Sequence, residues 1–127
     1  TVVTGKTTDL LGASSAALLN ALKKLAGIEH EVQLISPEAI APIQKLKTRH
    51  LGSKNPRLHT DEVLIALAMS AVDNPVAELA MSKLNEIEGC QVHSSVILSS
   101  VDEMTFKRLG ANLTTEPVYQ NRRFYHK

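Results

Sequence analysis

Short strand-like runs alternate along this chain with longer segments that start and stop as α-helices do, and this alternation constrains the fold more than any single motif. Helix ends are marked by Gly27, Gly89 and Gly110. Strands separated by helices favour a parallel or mixed sheet packed between helices. We therefore predict one layered α/β domain, ordered β-α-β-α-(α-α)-β-α-β, with a sheet of about four strands flanked by helices. The predicted helix starts are Ser36-Pro37-Glu38, Asn74-Pro75, and the capping box from Ser100 to Glu103.

Hydrophobic spacing gives the approximate position of each element. Strands are expected at residues 1–4, 31–35, 91–98 and 111–115. The first helix is expected to begin with Ser14 or Ser15 as its N-cap. Residues 63–72, after the capping run Thr60-Asp61-Glu62, are apolar on nearly all sides, which predicts a central helix. The predicted inner faces of the other early helices are leucines 18, 19, 22 and 25, then Ile40, Ile43 and Leu46, then Val76, Leu79, Leu84 and Ile87.

The composition is that of a globular protein and excludes several functional classes. The chain has 127 residues, enough for one domain, with 43% hydrophobic residues. A net charge of +1 gives no electrostatic argument for nucleic acid as a partner. The longest apolar stretch, residues 63–72, is too short to span a membrane. Cys90 is the single cysteine and is interpreted as a small buried residue in a reducing compartment, so we expect a cytoplasmic protein.

The two ends of the chain suggest further contacts. The first residues, Thr1 to Thr4, are already strand-like, which predicts an upstream N-terminal region in the same protein. Three of the four aromatic residues, Tyr119, Phe124 and Tyr125, fall in the last nine positions. A tail with this much aromatic area is expected to pack against the domain, the upstream region or a partner subunit. It could therefore serve as the interface of a homo-oligomer.

Four segments resemble one known family. The similarity covers nearly the whole chain and is specific in combination. The segments are Thr4-Gly-Lys-Thr-Thr-Asp-Leu-Leu-Gly-Ala-Ser-Ser-Ala16, Leu58-His-Thr-Asp-Glu-Val-Leu-Ile-Ala-Leu67, His93-Ser-Ser-Val-Ile-Leu-Ser-Ser-Val-Asp-Glu-Met-Thr-Phe106 and Leu113-Thr-Thr-Glu-Pro-Val-Tyr-Gln120. With these segments, the chain resembles the C-terminal part of a bacterial uncharacterised protein family, UPF0371.

The resemblance implies a cytoplasmic bacterial protein with a large α/β region upstream of this domain. It implies no known reaction, and no catalytic residues are carried over from it. Some family members have been labelled ATP-dependent peptidases, and that label is not transferred here. Whether the chain is an enzyme, and with which cofactor, is left open by the sequence.

The loop from Thr4 to Ser15 is the leading candidate for a binding site. Ligands of open parallel sheets bind beyond the carboxyl ends of the strands, and the start of a helix attracts negative charge. We expect a small ligand bearing phosphate or carboxylate to bind here. A Walker A loop is rejected, because the residues before Gly5 are strand-like and the helix starts too late. An ordinary capped helix after a flexible glycine loop is the alternative. The candidate ligand-binding residues are Thr4, Gly5, Lys6, Thr7, Gly12, Ser14 and Ser15, with His93 added from the third strand.

A set of histidines and acids is the second candidate. An acid–base or metal site would require His59 and His93 to converge, which spacing cannot show. No His-x-x-x-His or Cys-x-x-Cys is present, so no metal is assigned. The acids have another interpretation, because each falls in the first turn of a predicted helix and serves the cap or dipole there. The acids are Asp61, Glu62, Asp102 and Glu103.

Two further hypotheses are weaker. A Ser–Lys peptidase would use Ser14 or Ser15 as nucleophile, but the sequence singles out no base among Lys6, Lys45 and Lys47. The basic, irregular loop at residues 45–57 could be a mobile lid over an anion. The leading prediction is therefore a small-molecule site, and the alternative is a structural or oligomerisation domain.

Overall fold

The computed structural model describes residues 2–5, 8, 10–94 and 98–115. Within these ranges the chain forms three strands and five α-helices, with a π-helical turn at Leu46–His50 and a 3-10 turn at Leu84–Ile87. The strands are β1 (Val2–Gly5), β2 (Gln91–Ser94) and β3 (Asn112–Thr115). The helices are α1 (Ala13–Ala26), α2 (Pro37–Lys45), α3 (Thr60–Ser70), α4 (Pro75–Met81) and α5 (Ser100–Leu109).

The three strands form a parallel sheet in the order β1-β2-β3. The predicted parallel arrangement is therefore confirmed. The second of the four predicted strands, at residues 31–35, is not formed. This segment turns instead, and the Val32 N–H donates to the Glu29 carbonyl at 3.1 Å. Leu34 and Ile35 are nevertheless buried. These apolar side chains pack in the core without belonging to a strand. A short hydrophobic run alone does not show whether its residues form a strand or another buried segment.

In the described part of the chain, the helices lie against one face of the sheet. Val92 is 1% exposed and joins one hydrophobic core with Leu18 of α1 and Phe106 of α5. Successive strand residues point to opposite faces. Gln91, Asn112 and Thr114, on the other face, are exposed, and His93 is half-buried there. The prediction of helices on both sides of the sheet is thus wrong for the residues described.

Helix α1 crosses the sheet in very close contact with β1. A Cβ atom at Gly5 would collide with the backbone of Ala13 and Ala17. Gly27 ends the helix as predicted, with a φ of 73° and its N–H directed to Lys23 and Lys24 carbonyls. The predicted serine N-cap is wrong. Gly12 occupies that position and has no side chain to contribute, while Ser14 and Ser15 lie inside the first turn and are buried.

Other helix predictions are confirmed where the signal is local. Ser36 caps α2 by accepting from Ala39 N–H at 3.2 Å, and Asn74 caps α4 by accepting from Val76 N–H at 3.0 Å. Gly110 ends α5 with a φ of 81°. At α5, however, the cap is Ser99 rather than Ser100, because Ser99 accepts the N–H of Asp102 at 3.2 Å.

The predicted inner face of α1 is confirmed, and those after it are wrong in part: Ile40 and Ile87 are buried as predicted. Leu46, Val76 and Leu79 are exposed, and Ala77 and Ala80 are the buried residues of α4. Helix α4 also stops at Met81 rather than continuing to residue 87. A short helix with small residues can bury its alanines and leave its larger side chains outside, which periodicity alone does not distinguish. Cys90 is half-buried rather than buried.

Replacing Gly5 with alanine should destabilise the fold, because the added methyl group would collide with backbone atoms. Unlike a side chain, the backbone cannot move away by changing its rotamer. We expect a loss of about 1–3 kcal/mol in the free energy of unfolding, the usual cost of overpacking. Urea unfolding of the variant measures this loss. Gly12→Ala is the matched control. Its new Cβ would lie 3.8 Å from the nearest neighbouring atom, the Leu58 carbonyl oxygen, so a loss below about 1 kcal/mol is expected. Equal losses at the two positions would contradict the close approach of α1 to β1.

Candidate functional site

A buried carboxylate, that of Asp102, lies where α1, α3 and α5 begin. One oxygen accepts the Ser14 hydroxyl at 2.7 Å, and the other accepts both the Thr60 N–H at 2.9 Å and the Thr60 hydroxyl at 2.8 Å. Ser14 is the second residue of α1, Thr60 the first of α3 and Asp102 the third of α5. Asp102 is 6% exposed. One side chain therefore joins the starts of three helices.

The surroundings of Asp102 stabilise its negative charge. Burial alone would raise the pKa of this carboxyl. Hydrogen bonds from His59, Thr60 and Ser14 outweigh burial and lower the pKa from an ordinary 3.8 to about 2. The starts of three helices add partial positive charge at the same point. Asp102 is therefore ionised at neutral pH.

His59 is the N-cap residue of α3 and lies beside this carboxylate. Its Nδ1 is 3.5 Å from the Asp102 carboxylate, and 34% of its side-chain surface is exposed. Hydrogen bonding to Asp102 raises the pKa of His59, while burial opposes the rise. Because Nδ1 faces Asp102, the second ring nitrogen is left for a proton or a ligand. This is the arrangement in which a carboxylate orients an imidazole for binding or for acid–base work.

A second buried charge pair supports the segment that carries His59. Lys47 is 6% exposed, and its ammonium donates to the Arg57 carbonyl at 2.6 Å and to Glu62 at 2.8 Å. The same oxygen of Glu62 accepts the N–H of His59 at 2.8 Å. Lys47 therefore anchors the π-helical turn Leu46–His50 to the start of α3. Residues 46–50 of the predicted basic loop are therefore helical rather than irregular, and Lys47 is buried, while the mobility and lid role of the loop stay predictions.

The loop before α1 is attached to the same segment. Leu58 N–H donates to the Leu10 carbonyl at 3.0 Å, and the Leu58 carbonyl accepts from Gly12 N–H at 3.3 Å and from the Ser15 hydroxyl at 2.7 Å. Arg57 Nε donates to the Thr8 carbonyl at 2.5 Å. The side chains of Arg57 and His59 thus flank the place where the loop passes into α1.

The predicted ligand-binding residues do not gather at one place. Thr4 and Gly5 belong to β1, and Gly12 is the N-cap of α1. The hydroxyls of Ser14 and Ser15 are directed to Asp102 and to the Leu58 carbonyl. Lys6, Thr7 and the aromatic tail lie outside the described residues. His93 pairs in register with Thr4, and its Nδ1 lies 2.8 Å from the Thr114 hydroxyl on the sheet face away from the helices.

The structure unites residues that the sequence places in separate candidate sets. Ser14 comes from the loop set, and His59 and Asp102 come from the histidine and acid set. His93 belongs to another face of the sheet, so convergence of the two histidines is not what forms this cluster. Thr60 and Lys47 support the cluster through hydrogen bonds to Asp102 and Glu62. The sequence spacing did not predict these supporting contacts. The bonds from Asp102 to Ser14 and Thr60 span 88 and 42 positions in the chain, and no local motif encodes them.

Within the described residues, no group of three or more His, Cys, Asp or Glu side chains is arranged to hold a metal ion. None of the helices in these ranges has the length and hydropathy needed to cross a bilayer.

Replacing Asp102 with asparagine should weaken the fold and change His59. The amide presents hydrogen atoms toward groups that already donate, so we expect a loss of about 3 kcal/mol in the free energy of unfolding. Without the carboxylate, the pKa of His59 should fall toward or below its ordinary 6.5. Proton NMR titration of the His59 ring measures this change. The control is Glu103→Gln, which neutralises the adjacent exposed acid. If the two variants titrate alike, Asp102 does not control His59.

The pH dependence of stability follows from the same carboxylate. Its folded pKa lies below its ordinary value, so its contribution is present above about pH 4 and is lost as the pH falls toward 2. A shift of this size corresponds to about 2 kcal/mol. His59 acts in the opposite direction: its raised pKa adds stability below its ordinary 6.5, and this is lost as the pH rises through the folded value. Urea unfolding at pH 4.5 and 2.5 should show a larger drop in the native sequence than in Asp102→Asn. Parallel drops would contradict this assignment.

Comparisons with known proteins identify the family of the chain. Residues 1–125 match the family model described as the C-terminal part of a domain of unknown function, DUF1846. The chain is 58% identical to a UPF0371 protein of Corynebacterium glutamicum over 126 residues, covering 99% of this chain and 26% of that protein. It is 60% identical to one from Corynebacterium aurimucosum over 119 residues, covering 94% and 24%.

A more distant relative gives the same result. The UPF0371 protein of Streptococcus uberis is 51% identical over 126 residues, which is 99% of this chain and 26% of that protein. The chain therefore spans about a quarter of the length of the curated relatives it matches. The resemblance inferred from the four sequence segments is confirmed. The chain belongs to the uncharacterised bacterial family UPF0371, as the domain that the DUF1846 C-terminal model describes.

Proposed function

We propose that this domain binds a small anionic ligand, bearing phosphate or carboxylate, beside His59. The observation that carries the proposal is the half-exposed imidazole of His59, held from behind by the buried Asp102 carboxylate at the carboxyl edge of a parallel sheet. Ligands of such sheets bind at this edge, where loops enter helices. When the imidazole of His59 is protonated and its Nδ1 faces Asp102, its other ring nitrogen can donate a charge-assisted hydrogen bond to an anion.

Neighbouring groups add to the positive character of this place. Arg57 is held against the loop by its bond to the Thr8 carbonyl. Lys6 and Thr7 belong to the same loop in the sequence. Both lie outside the described residues, so their contact with the ligand stays a prediction from the sequence, whereas His59 is placed by the start of α3. Gly12 allows the loop to enter α1 without a side chain at the N-cap.

The two serines have a different role from the one their sequence context suggested. Ser14 and Ser15 donate to acceptors within the domain, so they position Asp102 and Leu58 rather than contact the ligand. Their bonds also disfavour a serine nucleophile. The partner of Ser14 is a carboxylate with a pKa of about 2, which is a weak base, and Lys47 is engaged by Glu62. Binding is therefore favoured over a Ser–Lys peptidase reaction.

Other parts of the proposal concern the whole protein. We propose that the domain acts as one unit of a cytoplasmic protein, and that the upstream region completes the ligand site. The aromatic tail from residue 118 to 127 remains a predicted oligomer interface. Its test is the molecular mass in solution with and without these ten residues.

Phosphate binding tests the proposed site. Inorganic phosphate should raise the melting temperature at pH 6 by stabilising the folded state, by about 1.4 kcal/mol when phosphate is at ten times its dissociation constant. The increase should shrink as the pH rises through the folded pKa of His59, which lies above its ordinary 6.5 because Asp102 holds the charged ring. In His59→Gln the amide can still donate to Asp102, but the charge is gone, so the phosphate-dependent increase should be lost.

The control for charge loss is His50→Gln, which removes an exposed histidine from the π-helical turn Leu46–His50. Sodium chloride at matched ionic strength controls for screening. The proposal fails if phosphate stabilises His59→Gln as much as His50→Gln, or if it stabilises neither more than chloride does.

A further inference from the structure

Helix α3 is apolar on two sides, although only one side faces the core. Val63, Ala66 and Leu67 are buried. On the outer side, Ile65 is 61% exposed, Met69 is 68% exposed, and Val72, just beyond the helix, is 86% exposed. Spacings of four and three residues place the outer side chains in one row. The sequence predicted a central helix here, and the prediction is wrong for this domain by itself. A helix that is apolar on all sides is normally buried in its complete protein.

The outer row continues into a groove between α2 and α3. The groove has a volume of about 480 Å³, and Met69 borders both features. Its apolar lining includes Leu34, Ile43 and Ala66. Polar groups line its edge, among them Ser70 and Asp73. We call Ile65, Met69, Val72 and this groove the α3 apolar face. Contiguous apolar surface with a polar border is typical of a protein–protein contact.

In α3, α4 and the turn between them, all the charged residues have one sign. Residues 60–82 contain four acids and no lysine or arginine. Glu62 is paired with Lys47, while Asp61, Asp73 and Glu78 are exposed. The partner that fits this surface therefore has an apolar centre with lysine or arginine at its border.

We infer that the α3 apolar face is the docking surface for the upstream region of the same polypeptide. The domain covers 26% of the UPF0371 proteins of Corynebacterium glutamicum and Streptococcus uberis, so about three quarters of those proteins lies outside it. Because the matching model describes the C-terminal part of its family, that remainder is upstream. A region joined to the domain in the same chain has a high effective concentration at its surface.

The open face of the sheet is a weaker competitor for this contact. It exposes Gln91, Asn112 and Thr114. Covering these polar side chains is costly unless new hydrogen bonds replace those that they make to water. Covering the α3 apolar face instead removes Ile65, Met69 and Val72 from water, which is favourable without any new polar partner. An amphipathic helix of the upstream region, laid along α3 with its apolar side in the groove, satisfies both the shape and the charge.

Thiol labelling of the full-length protein tests this inference. Val72→Cys places a reporter at the most exposed position of the face. Leu51→Cys places a matched reporter at an exposed apolar residue outside the face, which is 72% exposed. Each variant is treated with a maleimide, and modification at the introduced site is followed by peptide mass spectrometry. We expect the Val72 position to react at least ten times more slowly than the Leu51 position in the native protein. In urea the two positions should react at equal rates.

The oligomeric state separates the upstream region from a second copy of the chain. Protection of the Val72 position in the monomer, at a dilution verified by light scattering, supports the upstream region as the occupant. Comparable native reactivity at the two positions overturns the inference, because the face is then open. Protection that disappears on dilution to monomers also overturns it, and assigns the face to a second copy. The phosphate experiment at His59 is independent of all these outcomes.

Discussion

The ionised carboxylate of Asp102 is the interaction on which the arrangement of this domain depends. A buried charge is costly unless its hydrogen-bonding capacity is filled, and here the donors come from Ser14, Thr60 and His59. These donors are brought by different helices, so the carboxylate is stable only when α1, α3 and α5 all start at the same place. The apolar core favours compactness, but it does not fix which turn of one helix meets which turn of another. The carboxylate does so, because its bonds have direction.

The same constraint gives the domain its chemical character. The pairing that keeps Asp102 ionised also keeps His59 oriented and raises the pKa of its imidazole. Lys47 and Glu62 support the segment from its other side. Helix α3 then carries two distinct features along its length. Its start carries the His59 cluster, and its remaining turns carry the α3 apolar face. A ligand at the start of α3 and the upstream region along α3 would therefore contact one rigid element.

The sequence predicted the locally encoded parts of the fold and missed those that depend on distant residues. Ser36, Asn74, Gly27 and Gly110 act as caps through bonds to residues within a few positions, and all four predictions are confirmed. The apolar run at residues 31–35 gave a wrong strand, since burial of Leu34 and Ile35 needs no strand pairing. The candidate site was predicted in parts. Ser14, His59 and Asp102 were each identified, but Asp102 was assigned to its own helix start, whereas most of its bonds reach across the domain.

A carbon-13 NMR titration of the Asp102 side-chain carboxyl tests directly whether this carboxylate stays ionised. We expect its chemical shift to stay constant from neutral pH down to about pH 3 and to change only near its pKa of about 2. A midpoint at or above the ordinary value of 3.8 would overturn this assignment, because a carboxyl that protonates so easily cannot be held by donors from the starts of α1 and α3.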